Sequence, residues 1–103
     1  MVYTIENFKY DIEEILEICK NDIEAIKAGE KRQATIEQIE GTIIPEMEDL
    51  LEKIHSQTIP QKGNRWMLSA AYITRGWNWD IWSQDELVKK LPMLDDNYRN
   101  NLE

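Results

Sequence analysis

Apolar residues in the first part of the chain recur at steps of three and four. Ile5, Phe8, Ile12, Ile15, Cys19, Ile23 and Ile26 would share one face of a helix, and acids and lysines fill the other. Thr4 offers a cap at the start and Gly29 a left-handed stop, so the pattern predicts a helix over about 5–28. After the polar turn 29–32 the spacing returns at Ile36, Ile39, Ile43, Met47, Leu50 and Ile54. Gly41 and Pro45 interrupt this second stripe. Proline lacks an N–H and clashes with the preceding turn, so a kink is expected near 41–45. The stripe keeps its phase across the proline, which favours one kinked helix over about 33–56 rather than two separate ones.

A loop over 56–64 leads to a third predicted helix, about 64–75. Trp66, Ala70, Ile73 and Trp77 step along it by four, three and four, which places Trp66 and Trp77 in the core. The fourth element opens at Ser83-Gln84-Asp85-Glu86, which reads as a capping box. Leu87, Leu91, Leu94 and Tyr98 are its apolar stripe, Pro92 implies a second kink, and the polar tail 97–101 is expected to fray. No segment alternates at period two for long. The fold class that follows is all-α: an antiparallel four-helix bundle, kinked near Pro45 and Pro92, forming a single domain over 1–103. Ile12, Ile15, Ile39, Ile43, Leu50, Ile73, Leu87 and Leu91 should lie in its core.

Charge divides the chain unevenly. Residues 1–60 carry 14 acids and 6 bases, a balance of −8, whereas residues 61–103 carry 6 of each and balance to zero. An acidic surface of this kind repels nucleic acid and anionic membrane, so direct binding to either is not expected. It would attract a basic protein. No apolar run approaches a membrane span, and the first residues show no basic start followed by an apolar stretch, so neither an anchor nor a secretory leader is expected. The single cysteine, Cys19, sits among Ile15, Leu16 and Ile23 and reads as a buried free thiol in a reducing, cytoplasmic setting.

The search for chemistry excludes more than it finds. His55, the sole histidine, makes Glu-x-x-His with Glu52, a spacing used by di-metal helical bundles. Such sites need that motif twice, and a site from His55, Glu52 and Glu48 alone is poorly furnished, so no metal or other cofactor is expected. No nucleophile elbow, phosphate loop or dinucleotide fingerprint occurs, and the chain does not read as an enzyme. Asp80, between Trp79 and Trp82, is the best-placed carboxylate for a shifted pKa, though bonding an indole N–H or capping a turn is its commoner use.

All four tryptophans fall between positions 66 and 82. Trp is the residue most enriched at binding hot spots, and three indoles in six residues cannot easily all point into a small core. Arg65 and Arg75 flank the cluster and could stack on it. The reading that results is a small acidic interaction protein, an inhibitor of the immunity-protein kind or an adaptor, which binds a basic protein partner. Glu13, Glu17 and Glu24 would steer the encounter, and Arg75, Trp77, Trp79, Asp80 and Trp82 would hold the complex. The alternatives are a small-molecule binder with Tyr72, Trp77, Trp79 and Trp82 as aromatic walls, and an inhibitor that mimics nucleic acid with its carboxylate rows. Self-association is compatible with each.

Overall fold

A computed structural model describes residues 2–103. Four helices account for its regular structure. Helix α1 spans Ile5–Lys27. Helix α2 begins as Ile36–Gln38, widens into a π-helical turn over Ile39–Ile43 and continues as Ile44–Ser56. Helix α3 is Leu68–Arg75, and α4 is Glu86–Asp96 followed by a second π-helical turn, Asn97–Asn101. No β-strand forms among the described residues; a single bridge pairs Tyr3 with Leu102.

Local chemistry sets the ends of α1 and the start of α2. The Thr4 hydroxyl accepts from the Asn7 N–H, and the Asn7 side chain accepts from the Thr4 N–H, so α1 opens on a reciprocal cap. It closes at Gly29, whose φ of 92° lets the Glu30 N–H reach back to the Ala25 carbonyl. Thr35 and Gln38 repeat the reciprocal cap at the start of α2. Between them and Pro45 the helix takes an extra residue: the Ile44 N–H bonds the Ile39 carbonyl, five residues back. Pro45 has no N–H to offer the Gly41 carbonyl, and a wider turn before it relieves the ring's clash with that carbonyl.

The buried side chains form one cluster. Phe8, Ile12, Ile15 and Cys19 of α1 meet Ile39, Ile43, Met47 and Leu50 of α2, Ile73 of α3, and Leu87, Leu91, Leu94 and Tyr98 of α4. All eight residues expected in the core lie in this cluster. Helix α1 packs on the second half of α2 and on α4, while α3 packs on α4 and on the π-turn of α2.

Three expectations require correction. Helix α3 begins at Leu68, not near 64, because Glu46 of α2 caps it from the side. The Glu46 carboxylate accepts from the Leu68 N–H at 2.6 Å, the Ser69 N–H at 3.1 Å and the Ser69 hydroxyl at 2.6 Å. Residues 65–67 lie outside the helix as a result, and Met67 is extended. Met67 points into the core and Trp66 alternates outward, 65 % exposed, rather than packing beside Ile73. The box at Ser83–Glu86 does not cap α4 either. The Asp85 carboxylate reaches across to the Gln33 N–H at 2.6 Å, and the Ser83 hydroxyl accepts from the Asp85 N–H. Finally, the tail does not fray. Its π-turn sends the Leu102 N–H to the Asn97 carbonyl and drops Leu102 into the core. The Arg65 guanidinium then bonds the carbonyls of Pro60, Tyr98 and Leu102.

Two buried groups make testable statements about this core. Cys19 is enclosed, and burial, helped by the nearby Asp22 carboxylate, pushes its thiol up to about 12. A thiolate-selective reagent near neutral pH should therefore leave native Cys19 unmodified and label it once denaturant opens the core; rapid labelling of the native chain would contradict this packing.

Asp22 is also buried, with one oxygen 3.2 Å from Nε of Arg32. Burial raises its pKa and outweighs the pull of Arg32 in the other direction. A carboxyl whose pKa rises on folding binds more protons in the native state than in the unfolded one. Its contribution to stability therefore falls as pH rises from the ordinary carboxylate range through the raised native value. Asp22→Asn should remove this downward component, which urea unfolding from mildly acidic to neutral pH would reveal as a difference in slope from the parent. Parallel pH profiles would contradict the assignment.

Candidate functional site

The segment between α3 and α4, residues 76–85, is a bend held by hydrogen bonds and not by regular structure. Asn78 takes the left-handed conformation at φ 56°, which its short amide tolerates. The Asp80 carboxylate accepts from the Trp82 N–H at 2.9 Å, and the Asp80 carbonyl accepts from the Ser83 N–H at 3.0 Å. Gln33, in the loop between α1 and α2, grips the bend twice. Its side-chain oxygen accepts from the Asp80 N–H, and its own N–H donates to Asp85.

The four tryptophans have four different surroundings. Trp79 is only 6 % exposed, and its indole N–H donates to the Gln38 side-chain oxygen at 3.0 Å. That oxygen also accepts from the Thr35 N–H, so the cap of α2 and the root of the bend share one acceptor. Trp77 is half-buried and lies 5.3 Å, ring centre to ring centre, from Trp79 and 5.4 Å from Tyr72. The three rings form a continuous aromatic ridge. Trp82 is 83 % exposed and its neighbour Ile81 is 62 % exposed. Trp66 lies outside this group.

The bend therefore brings together Trp77, Trp79, Asp80 and Trp82 but divides their work. Trp79 cannot touch a partner because it is buried; it props the bend from beneath. Asp80 holds the turn through backbone N–H groups and leaves the indole of Trp79 to Gln38. Arg75 is exposed at the end of α3, and its side chain makes no ion pair or hydrogen bond among the described residues. Arg65 does not stack on the indoles. Its guanidinium lies 5.6 Å from the centre of the Tyr98 ring.

Glu13, Glu17 and Glu24 are exposed along α1, and none bonds to the bend. Glu17 lies 3.9 Å from Lys20, an exposed pair of small energetic weight. Glu13 lines a shallow groove between α1 and α2 with Lys9, Glu48, Glu52 and His55. No cluster of three or more His, Cys, Asp or Glu side chains suited to a metal occurs among the described residues. Nor is any helix among them long and apolar enough to cross a membrane.

Sequence reasoning missed Gln33, Gln38 and Asp85 as supports of the bend. Gln38 left a readable trace, because Thr35-x-x-Gln38 is a capping-box spacing. Gln33 left none: it is one polar residue in a polar turn, and its partners are more than forty positions away. The bend has no counterpart to draw on for its role, since no protein-family model, curated protein or solved structure matches the chain.

Proposed function

We propose that this chain is a small acidic interaction protein that binds a basic protein partner, in the manner of an inhibitor or adaptor. The observation that carries the reading is the pair Ile81–Trp82. Two large apolar side chains stand in water on a turn whose backbone is fixed by Asp80, Ser83 and Gln33. An exposed Trp on a preorganised backbone can bury its surface on contact while losing little conformational freedom. The exposed carboxylates of α1, Glu13, Glu17 and Glu24 among them, would raise the rate at which a basic surface arrives. The reading takes the helices as an antiparallel bundle bent at Pro45 and Pro92, a stiff frame for the bend.

A macromolecular ligand suits the bend better than a small one. Tyr72, Trp77 and Trp79 contact one another, so they present a ridge and not the facing walls of a slot. The test is affinity capture from extract with three baits in parallel: the parent chain, Trp82→Ala, and Glu13→Lys/Glu17→Lys/Glu24→Lys. A basic protein should be retained by the parent, lost with Trp82→Ala, and captured more slowly by the triple variant. A partner retained equally by all three would overturn the reading.

A further inference from the structure

Trp66 is the tryptophan that the bend does not use. It lines a separate groove of about 410 Å3 beside the π-turn of α2, with Gly41 and Thr42 of that turn. The size falls in the range of side-chain and ligand pockets. Tyr98 closes its floor. That residue is 98 % enclosed, being only 2 % exposed, yet its hydroxyl makes no hydrogen bond among the described residues and keeps contact with solvent. The rest of the lining is rich in acceptors. Asp49 has one oxygen on Lys53 at 2.9 Å, and its other oxygen has no side-chain partner among the described residues. Thr42 adds a hydroxyl-bearing side chain to the lining. Gly41 has no side chain to fill the space above it, and Pro45 denies its carbonyl the usual helical donor. Lys53 is the one cation in the lining against Glu46 and Asp49, so the groove carries a net charge of −1. π-turns of this kind recur at functional sites.

The geometry points to this groove as the seat of an arginine side chain presented by the protein partner. A guanidinium is flat, so it can lie against the exposed Trp66 indole, and it carries five N–H donors for a site that offers mainly acceptors. The Tyr98 hydroxyl accepts one of these, and the free oxygen of Asp49 accepts another. The assignment rests on the reading of the chain as a binder of basic proteins, but it concerns a groove whose lining contains no residue of the bend.

The site can be tested without the partner. The uniformly 15N-labelled protein is titrated with acetyl-Gly-Arg-Gly-amide and, separately, with the same peptide carrying citrulline, which has the shape of arginine without its charge. The arginine peptide should shift the Trp66 indole N–H and the Gly41 amide in a saturable way, and the citrulline peptide should not. Tyr98→Phe keeps the ring in the core and should weaken the arginine peptide by about two- to tenfold, the worth of one hydrogen bond. Trp66→Phe identifies the indole resonance. No shift at Trp66, an equal response to citrulline, or full affinity in Tyr98→Phe would each overturn the assignment. The Trp82 indole is read in the same spectra. Failure at Trp66 would leave the bend's role to be decided by capture, and loss of capture in Trp82→Ala would leave the groove to be decided by the peptide.

Discussion

Replacing Phe8 with alanine should cost about 3–5 kcal/mol of folding stability, the range for deleting a large aromatic from a packed core. Phe8 is fully buried in the first turns of α1. Its ring stacks on Tyr98 with centres 5.1 Å apart and planes 4° from parallel, and meets Tyr3 at an interplanar angle of 65° with centres 6.4 Å apart. Through Tyr98 it joins the start of α1 to the last turn of the chain, where Arg65 and Leu102 also converge. The cavity would lie between elements far apart in sequence, the same ones that the bridge of Tyr3 to Leu102 ties together. Urea unfolding measures the loss. Tyr10→Ala is the control: another aromatic of the same helix, but exposed, which should change stability by no more than about 0.5 kcal/mol. A Phe8→Ala cost below about 1 kcal/mol would mean that the contact with Tyr98 does not bear on stability.

Trp82→Ala should leave stability nearly unchanged, because the side chain is exposed, and should speed dissociation from the partner by roughly thirtyfold or more. That factor corresponds to the lower bound for a hot-spot residue, about 2 kcal/mol. Trp79→Phe provides the contrast. It removes the indole N–H that meets Gln38, so it should lower stability first and affect binding only through the shape of the bend. Charge reversal at Glu13, Glu17 and Glu24 should act on another step. Exposed charges steer encounter and are screened beyond ~8–10 Å at physiological ionic strength, so the triple lysine variant should associate more slowly, and salt should shrink the difference. Surface plasmon resonance separates the two rates. Faster dissociation from charge reversal, with an unchanged rate for Trp82→Ala, would contradict the division of roles.

The helices were legible in the sequence because each buries a face with its own period. Ile12, Ile15 and Cys19, and later Leu87, Leu91 and Leu94, step by threes and fours, and burial of that face is what stabilises the helix. The start of α3 was not legible in this way. Its cap comes from Glu46, more than twenty residues earlier, and a remote carboxylate leaves no mark in the local pattern. The error at Trp66 follows from the same cause: a shorter helix leaves residues 65–67 outside it, and Trp66 faces water instead of the core. The tail misled for a related reason. Its polar residues line the outside of a π-turn, while Tyr98 and Leu102, four positions apart, carry the burial.

The Trp-rich bend was legible as a place but not as an arrangement. The density of indoles marked the segment, and the difficulty of burying them all implied that some would face water. Which ones do so depends on Gln33 and Gln38, which reach the bend from the α1–α2 side; Gln38 belongs to the cap of α2, whose spacing says nothing of the bend, and Gln33 belongs to no motif. Trp79 takes the part-buried side chain of Gln38 as its partner and sinks. Trp82 follows Asp80, whose carboxylate ties its backbone and turns its side chain outward.

The central claim is that Trp82 is held out on a rigid bend, ready to bind. Backbone 15N relaxation of the free protein tests it most directly, through the order parameter of the Trp82 amide. The hydrogen bond to Asp80 and the double grip of Gln33 predict a value near that of the helices, about 0.85, with an indole N–H that exchanges freely with water. An order parameter below about 0.6 at Ile81 and Trp82 would contradict the account: the bend would then be a mobile loop, with no preorganised surface to offer a partner.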